Sequence, residues 1–474
     1  MAIPANRLLP LIVAVALFME NMDSTIIATS LPAIAKDIGT NPLALKLAIT
    51  SYLLSLAVFI PMSGWTADRF GTRTVFRAAI AIFMLGSIGC ALSSSLTDFV
   101  IARVVQGIGG AMMTPVGRLV LVRSFSRREL VGAMAWLSTP ALIGPMIGPP
   151  VGGFITTYLT WHWIFLINVP IGLMGIALVS RYFESIKEEN PDRFDFIGMA
   201  LSGLGIGGVA FGFSIAGLNF LPWTISAGLI AAGAAFIAAY LWHARRTPNP
   251  AIDLTLFKIP TFSATVTGGF LFRLGIGALA FLLPLMLQVG FGFSPFQSGL
   301  ITFASAVGAM TMKLGVTSIL RRLGFRNVLI VNALISAAFL GVCAAFQSTT
   351  PMTVMFVVLL VGGFFRSLEF TLINALAYAD VEPARAGRAT SLVSVAQQLS
   401  ISTGVAIGAL LVEMSVRLKT EPTITADDFP MAFLAVAAIS ATAAFIFMRM
   451  PRDAGEEMAN RIPAPTEGGD QRIS

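Results

Sequence analysis

From Leu8 to Met448 the chain returns repeatedly to runs of about 20 residues with almost no charge, the length a helix needs to cross a bilayer. In hydrocarbon every backbone N–H and C=O must be satisfied internally, so only helices and closed barrels can span. Strict apolar–polar alternation is absent, which argues against a barrel. Charge settles the class: 12% of the 474 residues are Asp, Glu, Lys or Arg, against roughly 25% in soluble domains. The sequence therefore predicts an all-α, multi-pass membrane protein.

Fourteen spans are predicted, at about 8–31, 46–64, 77–95, 98–121, 131–155, 163–182, 196–216, 222–242, 261–288, 297–319, 326–346, 352–378, 389–413 and 430–449. This count gathers most Arg and Lys on one side, including Arg69, Arg73, Arg77, Arg123, Arg127, Arg128, Arg321, Arg322 and Arg326. Only Lys36, Lys46, Arg417 and Lys419 fall in loops on the other. By the positive-inside rule both termini are cytoplasmic. The net charge of +7 is thus accounted for by topology and implies no nucleic-acid partner. Cys90 and Cys343 fall inside spans and read as packing residues. The first apolar run is too long, and too interrupted by acids, for a cleaved signal peptide.

An internal repeat supports the count. Ala67-Asp-Arg-Phe-Gly-Thr-Arg73 returns as Leu320-Arg-Arg-Leu-Gly-Phe-Arg326, each between the second and third spans of a six-span block. The predicted organisation is a six-helix bundle over residues 1–183, a linker and inserted transmembrane hairpin over 184–258, a second six-helix bundle over 259–450, and a disordered cytoplasmic tail over 451–474. The loop Gly217–Pro222 closes the hairpin.

Several residues are expensive where they stand. Glu20 and Asp23 lie three apart, on one face of the first span. An acid at the bilayer centre costs roughly 2.5–3.5 kcal/mol on insertion scales, so the pair predicts a polar cavity with a titratable floor. Arg103 and Gln106 share a face of the fourth span, where the guanidinium either meets those acids or snorkels outward. Gly107 and Gly110 beside them admit a close neighbour. Gly64, Asp68, Arg69, Gly71 and Arg73 form a predicted loop in which Asp68 meets an Arg or a helix N-terminus, as a cytoplasmic gate between the halves. Its simpler reading is a solvated loop. Gly144, Gly148, Pro149, Gly152 and Gly153 give the fifth span a bare, kinked face suited to a moving partner. Gln106, Arg118, Arg273, Lys313, Arg366 and Glu369 are candidates for the substrate cavity, with Arg366 and Glu369 alternatively an internal ion pair. Phe262, Phe270, Phe272, Phe281, Phe364, Phe365, Phe370 and Met286 are candidate apolar lining. His162 reads as structural.

Together these stretches resemble the major facilitator superfamily, specifically its fourteen-helix drug:proton antiporters. Met22–Pro32 is similar to that group's first-helix motif, Gly64–Arg73 to the superfamily's signature loop, and Arg103–Ala111 to its fourth-helix motif. Gly144 with Gly148–Gly153 resembles the antiporter motif of the fifth helix, and Trp161–Gly172 the fourteen-helix group's own signature. Gly117-Arg118, Phe272-Arg273, Met312-Lys313 and Trp161–Trp163 resemble a bacterial subgroup of multidrug exporters. The resemblance implies that Asp23 takes up and releases protons, that Arg103 assists, and that Gly148–Gly153 sets the interface between halves. One departure is Arg321 at the position equivalent to Asp68, which makes any gate pairing asymmetric.

The expected function is proton-coupled export of amphipathic small molecules or drugs across the bacterial cytoplasmic (inner) membrane, with Asp23 or the Glu20/Asp23 pair taking the proton, by a monomer that uses no cofactor or metal. The excess of membrane bases suggests, as an alternative, an anionic metabolite or lipid-like substrate. From another class stands a non-transporting sensor. An enzyme is disfavoured because no nucleophile–base pair, metal cluster or sizeable soluble domain is evident in the sequence.

Overall fold

The structure is a computed structural model that describes residues 5–125, 127–188, 194–216, 222–313, 315, 319–320, 323–382, 385–419 and 423–451. Parts of several sequence expectations lie outside these residues: most of the hairpin loop after Ala216, Arg321 and Arg322 of the second repeat copy, and almost all of the tail.

The first half is built from α1 (Ala5–Ile26), α2 (Leu31–Asp37), α3 (Lys46–Phe59), α4 (Ser63–Phe70), α5 (Thr72–Ala91), α6 (Leu96–Ser124), α7 (Arg127–Tyr158), α8 (Trp163–Leu166) and α9 (Asn168–Tyr182). Then come α10 (Phe196–Ile215) and α11 (Trp223–Ala244), which pack on each other as a pair. The second half comprises α12 (Pro260–Leu285), α13 (Pro295–Met312), α14 (Phe325–Val342), α15 (Met352–Leu376), α16 (Ala386–Arg417), α17 (Phe429–Ala441) and α18 (Ala443–Met448). Among the described residues, 12 helical stretches are long and apolar enough to cross a membrane. The predicted fifth and tenth spans fall on α7 and α13, which are outside that set.

Lipid removes the aqueous driving force between helices, so close packing depends on small residues that let backbones approach. At Gly86 a Cβ would meet the backbone N of Gln106 at 2.5 Å, which fixes α5 against α6. Across α3 and α6, a Cβ at Gly107 would meet the Tyr52 carbonyl at 2.8 Å and Ser55 at 2.6 Å. The inserted pair uses the same device, since a Cβ at Gly205 would meet the Ile237 backbone N at 2.9 Å. This pair lies beside α3 and α16, and much of α11 faces outward, with Trp223 and Trp242 exposed. Pro115 and Pro284 are accommodated inside α6 and α12, the latter followed by a π turn at Met286–Gly290.

Two ends can be distinguished. Both ends of the described chain lie at one, the terminal end, together with Asp68, Arg123, Asp253 and Arg385. At the other, the far end, the halves touch directly. The Gln288 amide donates to the Thr29 carbonyl at 2.9 Å, and the Phe296 N–H to Thr157 Oγ1 at 3.1 Å. A Cβ at Gly153 would collide with the Pro295 carbonyl, and one at Gly299 with that of Pro149.

Candidate functional site

The first-helix acids part company. Asp23 is fully buried in a network that joins α1 to α6 and α9: Arg103 Nη1 donates to Oδ2 at 2.7 Å, and Gln106 Nε2 and Asn168 Nδ2 donate to Oδ1 at 2.8 and 2.9 Å. Arg103 is held in turn by the Ala48 carbonyl at 3.1 Å, by Gln106 Oε1 at 2.6 Å, and by the Tyr52 ring 4.2 Å from its guanidinium carbon. Ser87 Oγ accepts from Asn168 at 2.9 Å. A buried ion pair is tolerable when its remaining hydrogen-bonding capacity is filled, and here it largely is. The snorkelling alternative for Arg103 is overturned, because the side chain is 1% exposed and bonded to Asp23.

Glu20 sits instead on the wall of a cavity of about 510 Å³ between the halves, on the terminal side of Asp23. Thr114 donates to its Oε2 at 2.8 Å. Arg118 and Lys313 line the same cavity, with Asn21, Asn374, Tyr378, Gln397 and Gln398. One acid and two bases therefore face a space of mixed polarity. Asn374 also accepts from Arg273 Nη2 at 2.9 Å, which places Arg273 behind the wall, beside Phe370. Gln106 belongs to the Asp23 network rather than to the cavity.

Arg366 and Glu369 do not form the internal ion pair. Arg366 donates to Ser305 at 2.8 Å on α13, while Glu369 accepts from Asn332 at 2.7 Å on α14. Three residues apart on α15, they are turned toward different neighbours, and neither lines the cavity. Of the candidate apolar lining, Phe370 reaches this cavity. Phe270 lines a separate apolar pocket beside the inserted pair, and Phe262, Phe272, Phe281 and Met286 are core.

The predicted loop Gly64–Arg73 is mostly helix, because α4 runs to Phe70 and the chain turns at Gly71 alone, with φ +86°. A Cβ on Gly64 would meet nothing within 4 Å, so that glycine serves no close approach here. Asp68 does meet an arginine, Arg123, at 2.8 Å, with Glu188 3.6 Å from the same guanidinium. Arg123 belongs to α6 of the same half, so this ion pair does not join the halves. Arg73 donates to the Ser180 carbonyl, and Arg69 is exposed.

The glycine-rich face of α7 packs where its spacing suggested. Gly144 lies against Phe18 and Met22, Gly148 against Thr25, and Gly152 against Ile26, all of α1. One residue on, Gly153 meets the start of α13, and the Pro149 carbonyl meets Gly299. A single helix thus presses the Asp23 helix on one face and the opposite half on another.

Sequence reasoning missed Asn168 as a partner of Asp23, and Ser87 as the acceptor that holds Asn168. The available signal was Asn168 itself, an amide opening a helix inside the Trp161–Gly172 stretch. His162 is partly exposed and stacks on Trp161, a structural place.

The sequence pattern of the Major Facilitator Superfamily matches residues 13–196 and 265–467, well over half of the chain. The chain belongs to that superfamily. It is therefore a multi-pass membrane transporter of small molecules rather than an enzyme. It is 40% identical over 457 residues to the protein named "Putative multidrug resistance protein MdtD" of Salmonella paratyphi A, covering 94% of this chain and 95% of the relative. The MdtD of Salmonella typhimurium is similar to the same degree, 40% over 457 residues. Among solved structures, a D-xylose-proton symporter superposes with TM-score 0.68 at 14% identity, covering 94% of this chain and 98% of that one. The human organic anion transporter MFSD10 (TETRAN) does so with TM-score 0.60 at 14% identity, over 94% and 100%. At such identity these two likenesses establish the superfamily fold alone.

Proposed function

We propose that this transporter is a proton-coupled antiporter that exports amphipathic small molecules or drugs by alternating access. The observation that carries the reading is Asp23, buried in contact with Arg103, Gln106 and Asn168 one helix face away from the cavity that holds Glu20. Protonation of Asp23 neutralises one member of a buried pair and frees Arg103 to find other partners. Because α7 touches both the Asp23 helix and the opposite half, the change has a mechanical path to the interface. At about 100 mV each proton moved inward contributes roughly 2.3 kcal/mol from potential alone.

On this reading α7 and α13 complete fourteen spans, in two six-helix bundles around the inserted pair. The superfamily match supports that division by leaving out residues 197–264. Basic residues gathered at the terminal end support cytoplasmic termini, and the Salmonella relatives support a bacterial inner membrane. A monomer is sufficient, because the Asp23 network and the cavity are complete within one chain. In place of a gate between the halves, the Asp68–Arg123 pair serves as a brace that stiffens the first half for rocking.

A second reading is favoured by one observation: Arg118 and Lys313 outnumber Glu20 around the cavity, which suits an anionic metabolite or lipid-like substrate. Transport of cationic dyes and of organic anions by the purified protein in proteoliposomes separates the two. The primary reading is tested with Asp23→Asn in inverted vesicles. The variant is expected to insert normally and to lose gradient-driven drug transport, and wild-type transport by it would contradict the reading.

A further inference from the structure

At the far end, beyond the Asp23 network, one charged side chain joins three parts of the molecule. Lys46 opens α3 and is 0% exposed. Its Nζ lies 3.5 Å from Glu413 Oε2 near the end of α16, in the other half, and 3.3 Å from the carbonyl of Ala216, which ends α10 of the inserted pair. Glu413 is 7% exposed, with Arg417 Nη2 3.4 Å from its other oxygen. The neighbouring ties between halves, Gln288 to Thr29 and Phe296 to Thr157, are hydrogen bonds between uncharged groups.

We infer that Lys46 and Glu413 form the latch that closes the far end of the transporter, and that the inserted helix pair is part of it through Ala216. The physical reason lies in burial. Desolvated charges tolerate low dielectric only while paired, and removing one partner strands the other. The pair therefore favours the closed far end as long as water is excluded. Once the halves separate, water hydrates both ions and screens their attraction, so the same residues do not oppose the open state. Such a contact gives two discrete arrangements rather than a graded one. The ammonium meets two acceptors, Glu413 Oε2 and the Ala216 carbonyl, and a backbone carbonyl at a helix end carries partial negative charge. The end of α10 therefore supports Lys46 alongside Glu413. This gives the inserted pair a task separate from substrate binding: to hold the latch lysine in register as the halves rock.

The inference rests on the alternating-access reading, but its test reads conformation and not drug transport, so the two can fail separately. Thr29, buried beneath the far-end contact, is replaced by Cys in the full-length protein, with Cys90 and Cys343 changed to Ala. Its labelling by a membrane-impermeant maleimide is followed from each face of the vesicles. Lys46→Gln and Glu413→Gln are each expected to raise far-face labelling about tenfold. The doubly neutral variant Lys46→Met/Glu413→Leu, which leaves neither charge buried without its partner, is expected to fall back to within about threefold of the parent. If the single variants fold poorly, the doubly neutral variant still decides the matter, because restored closure requires the two positions to share one contact. Hydrogen exchange of the α10 end, residues 209–216, is expected to quicken about tenfold in Lys46→Gln and to stay near parental in Glu413→Gln. Unchanged labelling in the singles, or a double variant labelled as fast as the faster single, overturns the latch. Unchanged exchange of the α10 end in Lys46→Gln overturns the part assigned to the inserted pair.

Discussion

At the scale of the residue, the first helix separates two acids that the sequence puts on one face. A spacing of three residues leaves about 60° between side chains on a 3.6-residue helix, enough to turn Asp23 toward α6 and α9 and Glu20 toward the cavity. The two substitutions should therefore differ in kind. Glu20→Gln is expected to keep proton coupling while changing relative rates among substrates of different charge, read as transport competition in proteoliposomes. Asp23→Ala is expected to destabilise by about 3–5 kcal/mol, because it leaves the Arg103 guanidinium buried without its counter-ion; thermal melting in detergent checks this against Asp23→Asn, which keeps an acceptor for Arg103. The pairing of Asp23 with Arg103 was legible, since a buried arginine needs an acid and Asp23 was at hand. The part of Asn168 was not, because nothing in a local sequence states that the start of α9 meets the last turn of α1. Arg366 and Glu369 show the same limit: their spacing permits an ion pair, and the neighbours Ser305 and Asn332 take each side chain elsewhere.

At the scale of the element, motif glycines divide by what stands opposite them. Gly153 faces backbone that cannot yield, whereas Gly64 faces nothing within 4 Å. Gly153→Ala is expected to weaken far-end closure by about 1–3 kcal/mol, the usual cost of overpacking, seen as faster maleimide labelling of Thr29→Cys. Gly64→Ala is expected to leave labelling unchanged and to alter melting by no more than about 1 kcal/mol. Glycine density predicted the packed face of α7 and could not rank its members. The predicted loop at Gly64–Arg73 turned out helical for a related reason. Its turn needs one positive φ, which Gly71 supplies, so the preceding residues are free to continue α4.

At the scale of the whole molecule, the halves and the inserted pair are tied at both ends. On the terminal side Asp253, in the segment that leads from α11 to α12, pairs with Arg385 at 2.9 Å and Arg388 at 3.7 Å near the start of α16. Burial would raise the Asp253 carboxyl, but hydrogen bonds from Thr255 and Arg385 outweigh it and hold its pKa below the ordinary value. A lowered folded pKa stabilises the protein fully above the unfolded value of about 3.9 and ceases to do so as pH falls through the folded one. Wild type should therefore out-melt Asp253→Asn at pH 7, with the difference shrinking below about pH 4. The recurring apolar runs made the all-helical, multi-pass architecture legible from sequence. The cavity's position needed tertiary contacts, since its walls come from both halves. The central claim is that substrate moves against protons through Asp23. Its most direct test is proton flux in proteoliposomes loaded with a pH-sensitive dye, triggered by adding a transported drug. The account predicts drug-dependent proton movement in wild type and in Glu20→Gln, and none in Asp23→Asn. Equal drug-dependent flux in Asp23→Asn, or drug transport in wild type without any proton movement, would contradict it.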